Sequence, residues 1–361
     1  MKFLHTSDLH LREKGDNRWK ALETILKLAV EQNAELVLIS GDLFDKDCAS
    51  NILRSALREL FSQFPEIRIV IVPGNHDKDA FPEGVLWSTS KNVFPLTESP
   101  YQVHNYENIT IFGIPYYKEE NQFYFSDILR KITFSENKFN IVIVHGTLVG
   151  KNYKFLSGFG YEERYNPIFY DDLVNAPVDY FALGHIHQYE KKFILNQTNR
   201  VIASYPGSPV SIAKDETGPR KVVIGEIEGK KLNVYDVEIP TFFYLQEELT
   251  VIPTLEQEFL TNLKSIVEKF NKKDSCLVIK IGGCTVLKEQ DLSSEIDKIK
   301  RNSSEKNIVW ETYEFSMIDK KYENLIKEFL TELYQKYKDG KISSELRTKI
   351  QKTFYRSIAE L

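Results

Sequence analysis

The sequence predicts a mixed α/β chain with more than one sheet and helices outside, then a small α+β module and a terminal pair of helices. Three observations carry this expectation. Short β-rich runs alternate with helical patterns through the first two thirds, a second alternating unit starts after Pro240, and two amphipathic stripes close the sequence.

Taken in order, strands are expected at Lys2–Ser7, Glu35–Ser40, Ile67–Val72, Ile109–Ile114, Asn140–His145 and Asp179–Gly184. Leu36-Val37-Leu38-Ile39 and Ile69-Val70-Ile71-Val72 are unbroken apolar runs, as in strands covered on both faces. Trp19, Leu22, Leu26 and Ala29 recur at helical spacing, and Leu53, Leu57, Leu60 and Phe64 do so after Ser50, a good capping residue. Strands then dominate at Arg200–Tyr205, Lys221–Glu228 and Lys231–Ile239, the last two joined by a turn at Gly229. His5 lies inside the first strand and reads as structural. His104 reads as a surface residue, and Cys276 and Cys284 as small core residues.

Beyond Pro240 the pattern becomes strand Phe242–Ile252, helix Thr254–Phe270, strand Ser275–Gly282, helix Lys288–Arg301 and strand Asn307–Phe315. Gly282-Gly283 reads as a strand end. Tyr322, Leu325, Ile326, Phe329, Leu330, Leu333 and Tyr337 trace one helical stripe. Asp339-Gly340 breaks it, and Leu346, Ile350, Phe354 and Ile358 trace another. From Lys320 to Leu361 there are ten basic and six acidic residues, a net charge of +4. Such apolar faces either pack on the protein's own body or dock a partner helix.

Composition narrows the class. With 42% hydrophobic and 27% charged residues, a disordered chain and a fibre are excluded. A balance of 47 basic against 52 acidic residues excludes a pervasive basic coat, but not a local basic groove. No apolar run approaches the roughly 20 residues of a membrane span. Met1–Asp8 turns polar too soon for a secretory signal. Cys48, Cys276 and Cys284 form no CxxC pair, so neither a disulfide nor a zinc-thiolate scaffold is expected, and a cytoplasmic location is.

The chemistry lies in where the seven histidines fall. Five of them stand just after expected strands, beside carboxylate, amide or glycine residues. The ordered set is Asp8-Leu9-His10, Gly41-Asp42, Gly74-Asn75-His76-Asp77, His145-Gly146 and Gly184-His185-Ile186-His187. In α/β sheets ligands bind beyond the carboxyl ends of strands, where loops distant in sequence converge. Imidazole with carboxylate suits zinc, iron or manganese, and oxygen-rich sets lean towards manganese. Asp8, His10, Asp42, Asn75, His145, His185 and His187 are too many for a single tetrahedral ion. They suit two ions sharing a carboxylate, the arrangement that serves in-line phosphoryl displacement. Each motif alone is weak; the ordered series is specific. The bland alternative, turn residues closing strands beside satisfied histidines, has to explain five such matches in order.

This series resembles that of the calcineurin-like metallophosphoesterases. His5-Thr6-Ser7-Asp8-Leu9-His10-Leu11, Gly41-Asp42-Leu43-Phe44-Asp45 and Tyr205-Pro206-Gly207-Ser208 resemble the SbcD branch of DNA repair nucleases, prokaryotic relatives of the meiotic-recombination-eleven nuclease. The resemblance implies a β-sandwich flanked by helices as nuclease domain (1–240), an α+β capping domain (241–318) and a C-terminal helix–loop–helix (319–361). It implies one ion on Asp8, His10, Asp42 and His187, and another on Asp42, Asn75, His145 and His185, with Mn2+ the expected metal for both. His76 would stay off the metal and protonate the leaving oxygen, a role an alkoxide leaving group needs in any case. Some members carry a histidine three residues after the bridging aspartate to orient the catalytic one. Asp45 stands there in this sequence, and Asp77 is a second candidate for that task.

The implied function is a DNA exonuclease and endonuclease working in double-strand break repair. Its implied partners are DNA, a second copy of the chain through Ile52–Phe64, and an SbcC-type coiled-coil ATPase held by the terminal helices. A calcineurin-like phosphoesterase for small phosphate esters or phosphoproteins would use the same metal chemistry. A degenerate scaffold that only binds would not need the complete ligand set. Gly225–Lys230 lacks a spacer and the Ser/Thr of a Walker loop, so ATP use must come from another chain. The sequence pI of about 5.9 counts against free-standing DNA affinity. Lys151, Lys154, Arg164 and Lys214 are candidate groove residues.

Overall fold

The computed structural model describes all residues except 47–49, 78–79, 117–124, 150–165, 196–199, 230, 254, 286–288 and 360–361. Cys48, Lys151, Lys154 and Arg164 therefore lie outside the described residues. The chain divides into two units, Met1–Phe243 and Tyr244–Leu361.

The first unit begins with β1 (Lys2–Thr6), α1 (Asn17–Glu31), β2 (Leu36–Ser40), α2 (Ser50–Ser62) and β3 (Arg68–Val72). Next come β4 (Val93–Pro95), β5 (Gln102–Tyr106), β6 (Ile109–Ile114), α3 (Phe125–Lys131), β7 (Phe139–His145) and β8 (Thr147–Val149). The unit continues with β9 (Pro167–Phe169), α4 (Tyr170–Asn175), β10 (Tyr180–Gly184), β11 (Glu190–Leu195), β12 (Arg200–Tyr205), β13 (Arg220–Glu228) and β14 (Lys231–Ile239). Two six-stranded sheets result, ordered β14-β13-β1-β2-β3-β4 and β11-β12-β10-β7-β6-β5, while β8 and β9 pair separately.

The apolar runs explain the layering. A strand turns alternate residues to opposite faces, so a run apolar at every position needs cover on both sides. Leu36, Leu38, Val70 and Val72 point inward and meet Ile109, Ile111, Ile141, Ile143 and Tyr180 of the facing sheet. Val37, Ile39, Ile69 and Ile71 point outward, under Trp19, Leu22 and Ile25 of α1 and Leu53, Leu57 and Phe61 of α2. The other sheet repeats this, with Val142, Val144, Phe181 and Leu183 under Phe125, Ile128 and Leu129 of α3 and Leu173 of α4. The expected sandwich with helices outside is thus formed by two sheets sharing an inner core. Asp16 caps α1, its side chain accepting from the Trp19 N–H at 2.7 Å.

The strands absent from the sequence reading are β4, β5, β8, β9 and β11. Of these, β4, β5 and β11 sit at sheet edges and β8 and β9 form the small separate pair. Edge strands are partly solvated and need no continuous apolar pattern. His104 accordingly lies on edge strand β5, half-buried, with its ring 4.4 Å from that of Phe94 and Nε2 3.3 Å from an Arg68 nitrogen.

The second unit holds β15 (Phe243–Val251, which starts at the boundary), α5 (Glu256–Lys269), β16 (Ser275–Thr285), α6 (Glu289–Asn302) and β17 (Ile308–Met317), with the sheet in that order. Gly282-Gly283 does not end its strand: β16 continues to Thr285, and the register against β17 shifts between Ile281 and Gly283. Gly283 has φ +124°, and a Cβ there would strike the Val251 carbonyl oxygen, so the glycine makes a bulge possible. Leu263 and Val267 of α5 and Leu292 and Ile296 of α6 cover Leu277, Ile279 and Ile281 of the sheet. After a 3-10 turn at Lys320–Tyr322 come α7 (Glu323–Lys338) and α8 (Ser344–Ala359). Ile326 of α7 and Ile358 of α8 are buried with Cys284 and Ile318 of the same unit, and Phe329 stacks on Phe354 at 3.5 Å. Leu325, Tyr334, Tyr337 and Leu346 remain exposed. Among the described residues no helix is long and apolar enough to cross a membrane.

Candidate metal centre

The parallel registers bring the motif-bearing loops together. Thr6 stands beside Ile39, Ser40 beside Val72, and His145 beside Gly184, so the carboxyl ends of β1, β2, β3, β7 and β10 are level within each sheet. Past the strands, the first two loops remain zipped by backbone bonds, Asp8 N–H to the Gly41 carbonyl at 3.0 Å and His10 N–H to the Asp42 carbonyl at 2.9 Å. The pleat must break for the side chains to converge. Asp8, His10, Asp42 and His185 do this with φ of 54°, 47°, 51° and 103°. Left-handed backbone at four non-glycine residues of one cluster is strain held in place by the surrounding packing.

Asp8, His10, Asp42 and His145 are buried, whereas Asn75, His76, His185 and His187 are half-buried. Three sets of ligand atoms lie within 4.8 Å of one another: Asp8/His10/His187, His10/Asp42/His76 and Asp8/Asp42/His145. The Asp42 carboxylate is central, with Oδ2 3.6 Å from His10 Nε2 and 3.4 Å from His145 Nε2, and Oδ1 accepting from the His76 N–H at 2.8 Å. Asn75 Oδ1 lies 2.8 Å from His145 Nε2 and 3.2 Å from His185 Nδ1. The His185 N–H reaches both Asp8 oxygens at 3.1 Å. All seven candidate ligands therefore meet in one place.

The donor set fits divalent cations. His145 Nδ1 donates to the Ser40 carbonyl at 2.9 Å, which turns the lone pair of Nε2 towards the oxygens of Asn75 and Asp42. His187 Nδ1 faces Glu216 Oε1 at 2.6 Å, leaving Nε2 aimed at His10 Nε2 (3.2 Å) and Asp8 Oδ1 (3.8 Å). So many lone pairs facing one another require a proton or a cation between them. The charges respond accordingly. Burial alone would strip the proton from His145, but the Asp42 carboxylate outweighs it and holds that pKa above the usual imidazole value; Asp42 is held below the carboxylate range in return, against its own burial. At His10 and His185 burial wins, lowering both to about 4 and leaving neutral imidazoles, the form that binds metal.

Asp45 and Asp77 take up different work. Asp77 Oδ2 accepts from the Gly74 and Leu43 N–H groups and Oδ1 from the Phe44 N–H, pinning the β2 and β3 loops to each other. Burial first, then the Asp42 charge, raises its pKa. Asp45 binds Arg18 at 2.8 Å and Arg12 at 3.1 Å, and Arg18 also donates to the His10 carbonyl at 2.6 Å. Neither carboxylate bonds His76 Nδ1, which has no hydrogen-bond partner. The His76 ring stands edge-on to His10 at 4.7 Å. His5 is buried between Tyr180 (2.8 Å) and Ser40 (2.7 Å), outside the cluster.

Sequence reasoning missed Glu216, which stands in no recognisable motif and contacts His187 only through the fold. It also missed that Ser40, a residue of β2, holds His145 of the other sheet. Lys214 is exposed and lies with Glu216 in the segment between β12 and β13.

Residues 1–189 match the calcineurin-like phosphoesterase family, and the chain belongs to it. It is a metallophosphoesterase, a hydrolase of a family that uses divalent metal ions. The uncharacterized metallophosphoesterase YhaO of Bacillus subtilis (strain 168) is 26% identical over 316 residues, 78% of this chain and 71% of that one. The DNA double-strand break repair protein Mre11 of Archaeoglobus fulgidus is 36% identical over 124 residues, 31% of this chain and 28% of that one. Its namesake in Methanosarcina acetivorans is 26% identical over 265 residues, 68% of this chain and 40% of that one. The chain thus spans less than half the length of either of these Mre11 proteins.

Proposed function

We propose that this metallophosphoesterase is a DNA nuclease that hydrolyses phosphodiester bonds as exonuclease and endonuclease in double-strand break repair, with Mn2+ as its metal. The observation that carries the reading is that similarity to an Mre11 protein runs over 265 residues, well past the 189 residues matching the phosphoesterase family. In this reading Asp8, His10, Asp42 and His187 hold one ion, and Asp42, Asn75, His145 and His185 the other, with Asp42 shared. Bound there, the ions supply positive charge for the phosphate and acidify the attacking water.

The chain's own residues do the remaining work. Ser40 and Glu216 fix the tautomers of His145 and His187. Asp77 keeps the Asp42 and Asn75 loops in register. His76, half-buried and with its Nδ1 in no hydrogen bond, gives a proton to the departing sugar oxygen. Outside the site, an SbcC-type coiled-coil ATPase docks on α7 and α8, where Leu325, Tyr334, Tyr337 and Leu346 are exposed. A second copy meets α2, where Ile52 is 73% exposed. The chain works in the cytoplasm.

The test is a cleavage assay on DNA ends and hairpins with Mn2+, Mg2+ or chelator, with and without the ATPase. Manganese-dependent DNA cleavage abolished by chelator is expected. Hydrolysis of nucleotide monophosphates or phosphopeptides with DNA left intact would establish the small-ester reading instead.

A further inference from the structure

His187 is the weak point of the cluster. Its side chain is 29% exposed, against 0% for Asp8, 3% for His10 and 2% for Asp42. A ligand open to water can rotate away unless something holds it. One loop supplies that hold. The segment between β12 and β13 folds back so that the Ser208 N–H donates to the His187 carbonyl at 3.1 Å. Arg220, itself buried, donates to the same carbonyl and to Ser208. Glu216 then takes the ring, with Oε1 2.6 Å from Nδ1. Its other oxygen is fixed by the Ile212 N–H at 2.8 Å and the Ser208 hydroxyl at 3.2 Å.

We infer that Glu216 is a positioning residue for the metal centre, holding His187 in the tautomer and rotamer that present Nε2, and so setting the affinity of one of the two ions. The inference rests on the two-ion reading of the site. Its physical core is the geometry of the carboxylate. Both oxygens are engaged by donors, so an acceptor is needed at both positions. A glutamine cannot serve both. With its carbonyl towards His187, its NH2 opposes the Ile212 N–H. With the amide turned over, NH2 donates to Nδ1, and the proton moves to Nε2, the nitrogen that must bind. Removing such a supporting carboxylate costs roughly 10–100-fold in metal affinity.

The experiment is calorimetric titration of the metal-stripped full chain with Mn2+, comparing wild type, Glu216→Gln, His187→Ala and the double variant, with stripped-state melting temperatures alongside. Wild type should bind two ions. Glu216→Gln should weaken one of them by about 10–100-fold and leave the other within about threefold, with the stripped melting temperature showing that the variant is folded. In the His187→Ala background the same substitution should have little further effect, because both act through one ring. Two ions bound by Glu216→Gln as in wild type would overturn the inference, as would equal weakening of both ions or a full additional loss in the double variant. Should Glu216→Gln fail to fold, Glu216→Asp, which keeps the charge but shortens the reach, must still weaken only one ion. Wild type binding a single ion or none would instead defeat the two-ion reading itself.

Discussion

His76 donates its backbone N–H to Asp42, a contact an alanine keeps, and its half-buried ring has a nitrogen within 4.8 Å of ligand atoms of His10 and Asp42. His76→Ala should therefore keep metal binding but slow hydrolysis by about 10²–10⁴, the usual span for a lost general acid. Unchanged turnover at full metal occupancy would remove His76 from the chemistry. Asp77 differs in kind: Asp77→Ala strands three backbone donors, two of them on the Asp42 loop. A loss of about 3 kcal/mol or more in unfolding free energy, together with weaker metal binding, is expected in denaturant titrations. His5 gives a pH signature. Burial lowers its pKa from 6.5 to about 3, so the folded state holds it neutral. Its contribution to stability is complete above pH 6.5 and is lost as pH falls from there towards 3. His5→Gln should flatten the slope of stability against pH between those values by about 1.4 kcal/mol per unit, measured by urea unfolding of metal-stripped protein.

At the level of elements, the site depends on how closely the ends of β2, β7 and β10 approach. Gly184 ends β10 directly against β2, and a Cβ there would overlap the Ser40 carbonyl oxygen that also receives His145 Nδ1. Backbone cannot yield as a flexible side chain can. Gly184→Ala should cost about 1–3 kcal/mol or more and displace the His145 ring, read as a lowered melting temperature and weaker Mn2+ binding. Leu57 of α2 is fully buried on the outer face of the first sheet. Leu57→Ala should cost about 2–5 kcal/mol in unfolding experiments without changing the metal stoichiometry of the folded fraction.

Across the whole molecule, every candidate ligand lies in Met1–Phe243, and the terminal helices belong to the other unit. Deleting Lys320–Leu361 should leave metal binding intact. It uncovers Cys284 and Ile318, so the second unit should lose stability, seen as a lowered second transition in calorimetry. If the ATPase docks on these helices, the same truncation abolishes binding. A truncation that abolishes metal binding would contradict the division of labour between the units.

The candidate ligands and their order were legible because metal chemistry admits few side chains and the fold places these residues just past strand ends, beside glycines. Asp8, His10, Asp42, Asn75, His145, His185 and His187 could be named from local pattern alone, and the doubly covered strands from their unbroken apolar runs. Edge strands β4, β5 and β11 could not, since a partly solvated strand carries no strong pattern. Nor could the tasks of Asp45, Asp77 and Glu216. Their hydrogen-bond partners are chosen by how loops pack: Asp77 grips residues 34 positions away, and Glu216 meets a histidine 29 positions upstream. The ring of His145 is aimed by a carbonyl 105 residues distant, on the facing sheet. Residue chemistry is a local property and is written in the chain. The orientation of a side chain is set by its neighbours in space, and those exist only once the two sheets have closed on each other.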